Sequence, residues 1–185
     1  WVQLGAAVKH PQENQVYDLS QEVGQKENIK DAYLKIYTSS GYGDPQKLKE
    51  IMRLEKPDAI MHFTDPRFWG WLYNIEHELR QDIPLMYYNI WDNLPYPHWN
   101  EPFYESCDLI MNISKQTQNI VNNVLNKYPK PEWAVQYVPH GINEKEFYPI
   151  DTLHPEYNKF KEFESTFKNK QDVDFIFFWN NRNIR

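Results

Sequence analysis

The 185-residue chain has a single cysteine, no long apolar run and no block of basic residues. Because Cys107 has no partner for an intramolecular disulfide, a secreted disulfide framework is disfavoured and a reducing cytoplasm is favoured. Its apolar neighbours predict a buried structural thiol rather than a nucleophile. No apolar run approaches the roughly 18 residues of a membrane-spanning helix, and the N-terminal residues lack the pattern of a targeting peptide. The sequence therefore predicts a cytoplasmic protein with no integral membrane segment.

The charge balance also narrows the set of partners. Twenty basic and twenty-six acidic residues give a net charge of −6, which disfavours a nucleic-acid surface built on phosphate contacts. Aromatic residues are abundant instead, with seven Trp, thirteen Tyr and ten Phe. Aromatic rings pack cores, and they also stack on the flat apolar faces of sugars. The composition fits a carbohydrate or nucleotide binder without requiring one.

Several common catalytic motifs are missing. The chain has no phosphate-binding loop that ends in Gly-Lys-Ser/Thr, and its Gly41-Tyr-Gly43 does not open a dinucleotide fingerprint. It also has no Gly-x-Ser-x-Gly elbow. His77 and Glu78 lack the second histidine of a metalloprotease helix, and no cysteine pair is present to bind zinc. No metal site is predicted, and His62 is interpreted as a core residue.

Apolar runs alternate with helical patterns along most of the chain. The first ten residues are predicted to form a helix that Pro11 ends. Strands are predicted at 16–19, 33–38, 58–63, 83–91, 109–113, 133–138 and 174–179, and helices at 44–56, 67–81, 103–107, 114–125 and within 151–170. Strands separated by helices indicate right-handed βαβ crossovers. The predicted class is α/β, with a Rossmann-like parallel sheet and helices on both faces.

Such a sheet binds its ligand outside the carboxyl ends of its strands, which selects the loops after Phe63, Trp91, Ile113 and Val138. In the first loop, Asp65 and Arg67 precede a predicted helix. Asp65 can act as the helix cap, or the pair can bind an anion or a sugar hydroxyl, and the two roles are compatible.

The second loop carries the densest mixture of polar and aromatic side chains. Asp92 can orient or deprotonate a hydroxyl, and His98 can do so near neutral pH. A turn at Asp92 with aromatic residues packed beneath a proline-stiffened loop is the alternative. The candidate ligand-binding residues of this loop are Asn89, Trp91, Tyr96 and Trp99.

The segment Val138-Pro-His-Gly-Ile-Asn143, followed by Phe147 and Pro149, resembles the segment that joins the two lobes of retaining GT-B glycosyltransferases of the family 4 type (glycosyl transferases group 1). His140 replaces the commoner Asn of that segment, and Asn143 replaces the commoner Asp. The preceding segment, from Asp108 to Ser114, is similar to a strand of the same family. The run from Phe177 to Arg182 looks like the first strand of the second lobe.

The resemblance implies a fragment truncated at both ends. Residues 1–150 would form the acceptor-side lobe without its first strand, and residues 151–185 a linker helix and the first strand of a donor-binding lobe. A nucleotide sugar would be the co-substrate, with no other cofactor, and the acceptor a carbohydrate, lipid or protein. The family's histidine after the fifth strand is replaced by Ile90-Trp91-Asp92. The resemblance implies a catalytic role for Asp92 and His98. The residues that would bind the acceptor are Asp65, Arg67, Asn89, Trp91, Tyr96 and Trp99. The residues that would lie in the hinge or on the donor side are His140, Gly141, Asn143 and Arg182.

A fragment with half a site is expected to be inactive, and apolar surface that the other lobe would cover predicts self-association. Two alternatives stay open. One is a stand-alone carbohydrate- or nucleotide-binding α/β module that uses the aromatic loop. The other is a flavodoxin-like structural or signalling domain that binds no sugar.

Overall fold

A computed structural model describes residues 1–6, 9–168 and 177 of the chain. The chain forms two compact units, Trp1–His140 and Gly141–Arg185. No helix in the described ranges is long and apolar enough to cross a membrane.

The first unit contains seven of the described strands and six α-helices. The strands are β1 Val2–Ala6, β2 Val16–Asp18, β3 Lys35–Ser39, β4 Ile60–Phe63, β5 Leu85–Asn89, β6 Leu109–Asn112 and β7 Val135–Tyr137. The α-helices are α1 Ser20–Glu27, α2 Pro45–Glu55, α3 Gly70–Asn74, α4 Glu76–Leu79, α5 Glu101–Glu105 and α6 Lys115–Val124. Short 3₁₀ turns occur at Pro66–Trp69, His98–Asn100 and Glu132–Ala134.

The strands form two sheets. One has the order β1-β3-β2, in which β1 is parallel and β2 antiparallel to β3. The other has the order β4-β5-β6-β7, and all its neighbouring strands are parallel. The predicted α/β class with a parallel sheet flanked by helices is therefore confirmed, but the helices that connect β4 to β7 do not lie on both faces as predicted, because the strand order follows the chain in one direction.

The core lies on one face of the four-stranded sheet. Leu85, Tyr87 and Ile110 point to this face and are almost fully buried, whereas Met86 and Tyr88, on the other face, are only half-buried. Right-handed crossovers between successive neighbouring strands place their connecting helices on the same face. The apolar residues of those helices accordingly join one buried cluster with the strands, among them Leu72, Leu79, Tyr104, Ile120, Val121 and Val124.

Two helix starts were correctly predicted from their capping residues. The Asp44 carboxylate accepts hydrogen bonds from the backbone N–H groups of Gln46 and Lys47, and Pro45 occupies the first turn of α2. The Ser114 hydroxyl accepts from the N–H of Thr117 at the start of α6. Each side chain satisfies donors that a helix end leaves unpaired.

The N-terminal helix prediction is wrong. Val2–Ala6 forms a strand that pairs in parallel with β3, whose Lys35 N–H donates to the carbonyl oxygen of Trp1 at 3.1 Å. The apolar residues of this segment fit a period of two as well as a helical period, and the partner strand selects between them. Residues 7 and 8 of the predicted helix lie outside the described residues.

The helix predicted at 67–81 is divided into the 3₁₀ turn Pro66–Trp69, α3 and α4. The short helix α1 was not predicted, because none of its residues is buried and it has no apolar stripe to reveal it.

The described part of the second unit contains the helix α7, Tyr157–Lys168, within the predicted range. Its Phe163 and Phe167 rings pack edge to face at 5.0 Å between centroids. The strand predicted at 174–179 lies outside the described residues except for Phe177, and Arg182 lies outside them as well.

Candidate functional site

The carboxyl ends of β4, β5, β6 and β7 lie side by side. Phe63 is in register with Tyr88, Asn89 with Asn112, and Asn112 with Tyr137. The loops that follow these strands therefore begin at one edge of the sheet, as the sequence predicted. This carboxyl edge is the usual ligand-binding edge of an open parallel sheet.

The loop after β4 begins with a strained residue. Thr64 has a φ of 102°, in the left-handed region that a β-branched side chain rarely adopts. After this residue, the Asp65 carboxylate accepts a hydrogen bond from the N–H of Arg67 at 3.0 Å, which caps the 3₁₀ turn Pro66–Trp69. The capping role predicted for Asp65 is confirmed.

Asp65 and Arg67 also form a two-pronged ion pair. The Arg67 Nη2 and Nε atoms lie 2.6 and 3.1 Å from Asp65 Oδ2. The hydrogen bond from the guanidinium holds the pKa of the Asp65 carboxyl below its usual value. The guanidinium carbon lies 5.3 Å from the ring centroid of Trp91, so the loops after β4 and β5 meet here. Arg67 keeps 54% of its side chain exposed and can still meet a ligand.

The partly buried Trp91 and the exposed Trp99 form an aromatic platform at this edge. Their rings pack edge to face with centroids 6.0 Å apart. The Trp91 indole N–H donates to the carbonyl oxygen of Asn93 at 2.9 Å, which fixes the ring. Trp99 is 53% exposed, and Tyr96 is exposed in the same loop. The platform has the rigidity that sugar stacking requires, and Trp99 provides its open apolar face.

Asn89 lies below the platform and is fully buried. Its Nδ2 donates to Asn112 Oδ1 at 3.2 Å, and its Oδ1 accepts from the N–H of Trp91 at 3.1 Å. The side chain therefore supports the loop from inside instead of presenting its amide to solvent.

Asp92 and His98 are both exposed on this loop. The Asp92 carbonyl oxygen accepts from Gln116 Nε2 of α6 at 2.9 Å, which ties the loop to the next helix. In the portion of the chain that the structure describes, neither the Asp92 carboxylate nor the His98 imidazole has a hydrogen-bond partner. Both groups are free to contact a ligand.

His140 lies at the same edge, against Phe63 and Tyr88, which were not predicted as site residues. Its ring stacks on Tyr88 with centroids 5.3 Å apart and lies 6.5 Å from Phe63. The Tyr88 hydroxyl donates to the carbonyl oxygen of Val138 at 2.9 Å and is 3.0 Å from His140 Nδ1. A hydroxyl has one proton to donate, so the Nδ1 atom must carry the proton of this second bond and Nε2 is left as an acceptor. Phe63 and Tyr88 both lie near the carboxyl ends of predicted strands, and this position could have identified them as site residues.

The other candidate residues belong to the second unit. Asn143 Oδ1 accepts from the N–H of Lys145 at 3.1 Å, and its carbonyl oxygen accepts from the N–H of Phe147 at 2.8 Å. Asn143 therefore organises its own turn. Gly141 has open space where a Cβ would point.

His62 and Cys107 are confirmed as buried core residues. His62 Nδ1 is 3.0 Å from the Tyr73 hydroxyl, and burial lowers the pKa of the imidazole to about 4. Burial also raises the pKa of the Cys107 thiol to about 12, so the thiolate that a nucleophile needs is not formed near neutral pH. Among the described residues, no group of three or more His, Cys, Asp or Glu side chains is arranged to hold a metal ion.

Comparison with known proteins found no matching family model, and no curated protein or solved structure with significant similarity to the chain.

Proposed function

We propose that residues 1–140 form the acceptor-side lobe of a retaining, nucleotide-sugar-dependent glycosyltransferase of the GT-B type that acts in the cytoplasm. The observation that carries the proposal is the position of His140. This residue comes from the segment that resembles an interlobe hinge, and it packs on Tyr88 and Phe63 at the carboxyl edge of the parallel sheet. The same edge carries the Asp65–Arg67 pair and the aromatic platform.

The exposed groups of this edge match the chemistry of a sugar or a sugar-bearing acceptor. The faces of Trp91 and Trp99 provide apolar area for the C–H face of a pyranose. The Arg67 guanidinium and the Asp92 carboxylate provide a donor and an acceptor for hydroxyl groups at its rim. Asp92 and His98 would orient the attacking hydroxyl, and Asn89 holds the platform from below.

In the proposed reaction, the bond between the sugar C1 and the donor diphosphate breaks, and the acceptor oxygen bonds to C1 on the same face. The proton of the acceptor hydroxyl passes to the departing phosphate oxygen. Preorganised positive charge and backbone N–H groups stabilise the departing diphosphate without a metal. In the resembled family this charge lies on the donor side, where Arg182, with Gly141 and Asn143 in the hinge, takes the matching position.

Saccharide binding at the platform is the first test. We expect oligosaccharides to quench the tryptophan fluorescence of the chain in a saturable way, and Trp99→Ala to weaken binding at least about tenfold, because the exposed stacking face is lost. Trp133→Ala is the matched control, since Trp133, like Trp99, is more than half exposed but lies ahead of β7, at the amino end of the strands. Equal effects of the two substitutions would contradict the proposed site.

Nucleotide-sugar binding separates this proposal from a stand-alone carbohydrate-binding module. Saturation-transfer NMR with UDP- and GDP-sugars should show contact of both the sugar and the nucleotide, and His140→Ala should reduce it. His77→Ala, an exposed histidine on α4, should leave it unchanged. If free saccharides bind but nucleotide sugars bind no better, the module replaces the glycosyltransferase. If neither binds, both are wrong.

A further inference from the structure

An apolar groove separates the two sheets. A cavity of about 440 Å³ is lined by every residue of β1 and every residue of β4. Leu48 and Ile51, the buried residues of α2, form part of its wall, together with Trp69 and Trp71. Among the described residues, no Asp, Glu, Lys or Arg side chain lines it. This β1–β4 groove is therefore as long as the two strands and lined mainly by apolar side chains.

The backbone groups of β1 that face the groove are unpaired. The carbonyl oxygen of Trp1 accepts from Lys35, so the N–H and C=O groups of Trp1, Gln3 and Gly5 point toward β3. Successive residues of a strand direct their backbone N–H and C=O groups to opposite sides, so the groups of Val2 and Leu4 point into the groove. Within the described residues these groups have no backbone partner.

The backbone groups of β4 that face the groove are also unpaired among the described residues. The N–H of Ile60 donates to the carbonyl oxygen of Pro84 at 3.0 Å, so the backbone groups of Ile60 and His62 point toward β5. Those of Met61 and Phe63 point into the groove and are likewise unpaired in the described part of the chain. Two rows of unpaired donors and acceptors thus line an apolar groove, an arrangement that costs free energy unless both rows are paired.

We propose that the β1–β4 groove binds one extended polypeptide strand of four or five apolar residues, which runs parallel to β1 and β4 and joins the two sheets into one. A strand presents backbone donors and acceptors on both of its edges, so it pairs both rows at once. An apolar small molecule fills volume but leaves both rows unpaired. Because the lining residues that the structure describes include no Asp, Glu, Lys or Arg, the groove favours an occupant with apolar side chains. This inference does not rest on the proposed glycosyl transfer.

Hydrogen exchange in the complete 185-residue chain tests the free state. We expect the N–H groups of Leu4 and Met61 to exchange roughly tenfold or more faster than those of Gln3 and His62, which are paired in their ladders. If Leu4 and Met61 are already protected as well as their neighbours, β1 and β4 pair with each other and the proposal is overturned.

A synthetic peptide of five alternating valine and isoleucine residues, flanked by lysines for solubility, is the probe for the occupied state. We expect its addition to slow exchange at Leu4 and Met61 by roughly tenfold and to change the fluorescence of the tryptophans that line the groove. The control is the same peptide with N-methyl groups on alternate residues, which blocks pairing along one edge. Equal protection by the methylated peptide, or by the apolar dye anilinonaphthalene sulfonate, would overturn the proposal.

A substitution locates the binding site. Met61→Pro removes a groove-facing N–H and leaves the donors of Ile60 and His62 in the ladder with β5, so we expect it to abolish peptide protection. Met61→Leu should retain it. If the proline variant does not fold, the two peptides with the unaltered chain still decide the outcome.

Discussion

At the scale of single residues, three histidines show how burial separates structural from functional roles. His62 is buried against Tyr73 and Tyr87, where water cannot hydrate a positively charged imidazole. His140 is held by Tyr88 with its Nε2 left as an acceptor. His98 is exposed and without a partner among the described residues. Of these three, only His98 and His140 can form a hydrogen bond with a ligand.

The buried imidazole makes stability depend on pH. The pKa of His62 is about 4 in the folded chain against 6.5 for the free group, so the unfolded chain binds more protons between these values. The free energy of unfolding should therefore be highest above pH 6.5 and fall as the pH drops toward 4. The full loss from this residue is up to about 3 kcal/mol. Urea unfolding at a series of pH values measures it.

His62→Gln should flatten this dependence between pH 6.5 and 4.5, although it lowers stability throughout. His77→Gln, at an exposed position, should leave the slope as it is. Carboxylates whose pKa is lowered in the folded chain, such as Asp65, lose their contribution at more acidic pH and do not produce this slope. An unchanged slope in His62→Gln would contradict the assignment.

The Tyr88 hydroxyl should fix the tautomer of His140. Tyr88→Phe removes the acceptor of His140 Nδ1, so we expect a single Nδ1–H tautomer in the unaltered chain and a mixture in the variant. Long-range ¹H–¹⁵N NMR of the imidazole measures the two forms. Loss of the bonds should cost about 1 kcal/mol of unfolding free energy. Tyr128→Phe, at an exposed ring distant in sequence from the edge, is the control. A mixture already present in the unaltered chain would show that Tyr88 does not hold the ring.

Residue roles that depend on local spacing were predictable, and those that depend on neighbouring strands were not. The caps Asp44, Asp65 and Ser114 act within three residues, so the sequence displays both partners. Asn89 is buried because Asn112 of the next strand meets its amide, a contact that spacing along the chain cannot show. The position of Tyr88 over His140 likewise arises from β5 lying beside β4 and β6.

At the scale of elements, strong apolar periodicity was sufficient where an element packs on the core. Helices α2 and α6 and strands β4 to β7 were predicted close to their observed bounds for this reason. Strand β1 was mistaken for a helix because its few apolar residues satisfy both periods, and only pairing with β3 distinguishes them. The break at Ile75 between α3 and α4 interrupts a helical pattern that the sequence alone presents as continuous.

The first turn of α2 provides a prediction at this scale. Asp44→Ala removes the acceptor for two backbone N–H groups and should lower the free energy of unfolding by about 1 kcal/mol. Asp58→Ala, which removes an equal charge from an exposed site outside any helix, should change it by less than about 0.5 kcal/mol. Chemical denaturation of both variants measures the difference. Equal effects would mean that charge rather than capping accounts for the loss.

At the scale of the whole molecule, the parallel sheet and its ligand-binding edge followed from the alternation of strands and helices. The division into two sheets did not, because it depends on which strand lies beside β1 and β4, and the local pattern of neither strand contains that information. The β1–β4 groove and the half-buried face that carries Met86 and Tyr88 both follow from that arrangement.

Exposed apolar side chains and a modest net charge together predict self-association. Leu94, Trp99 and Phe63 are each at least half exposed, and at neutral pH the charge of −6 keeps copies apart. Near the isoelectric point of about 5.5 that repulsion vanishes. We expect sedimentation velocity to show a monomer at about pH 8 in low salt and larger species with rising concentration at pH 5.5. Salt at about 0.5 M should produce the same shift at the higher pH by screening. Circular dichroism must confirm that the chain stays folded at both pH values, and identical sedimentation under all conditions would contradict association through these side chains.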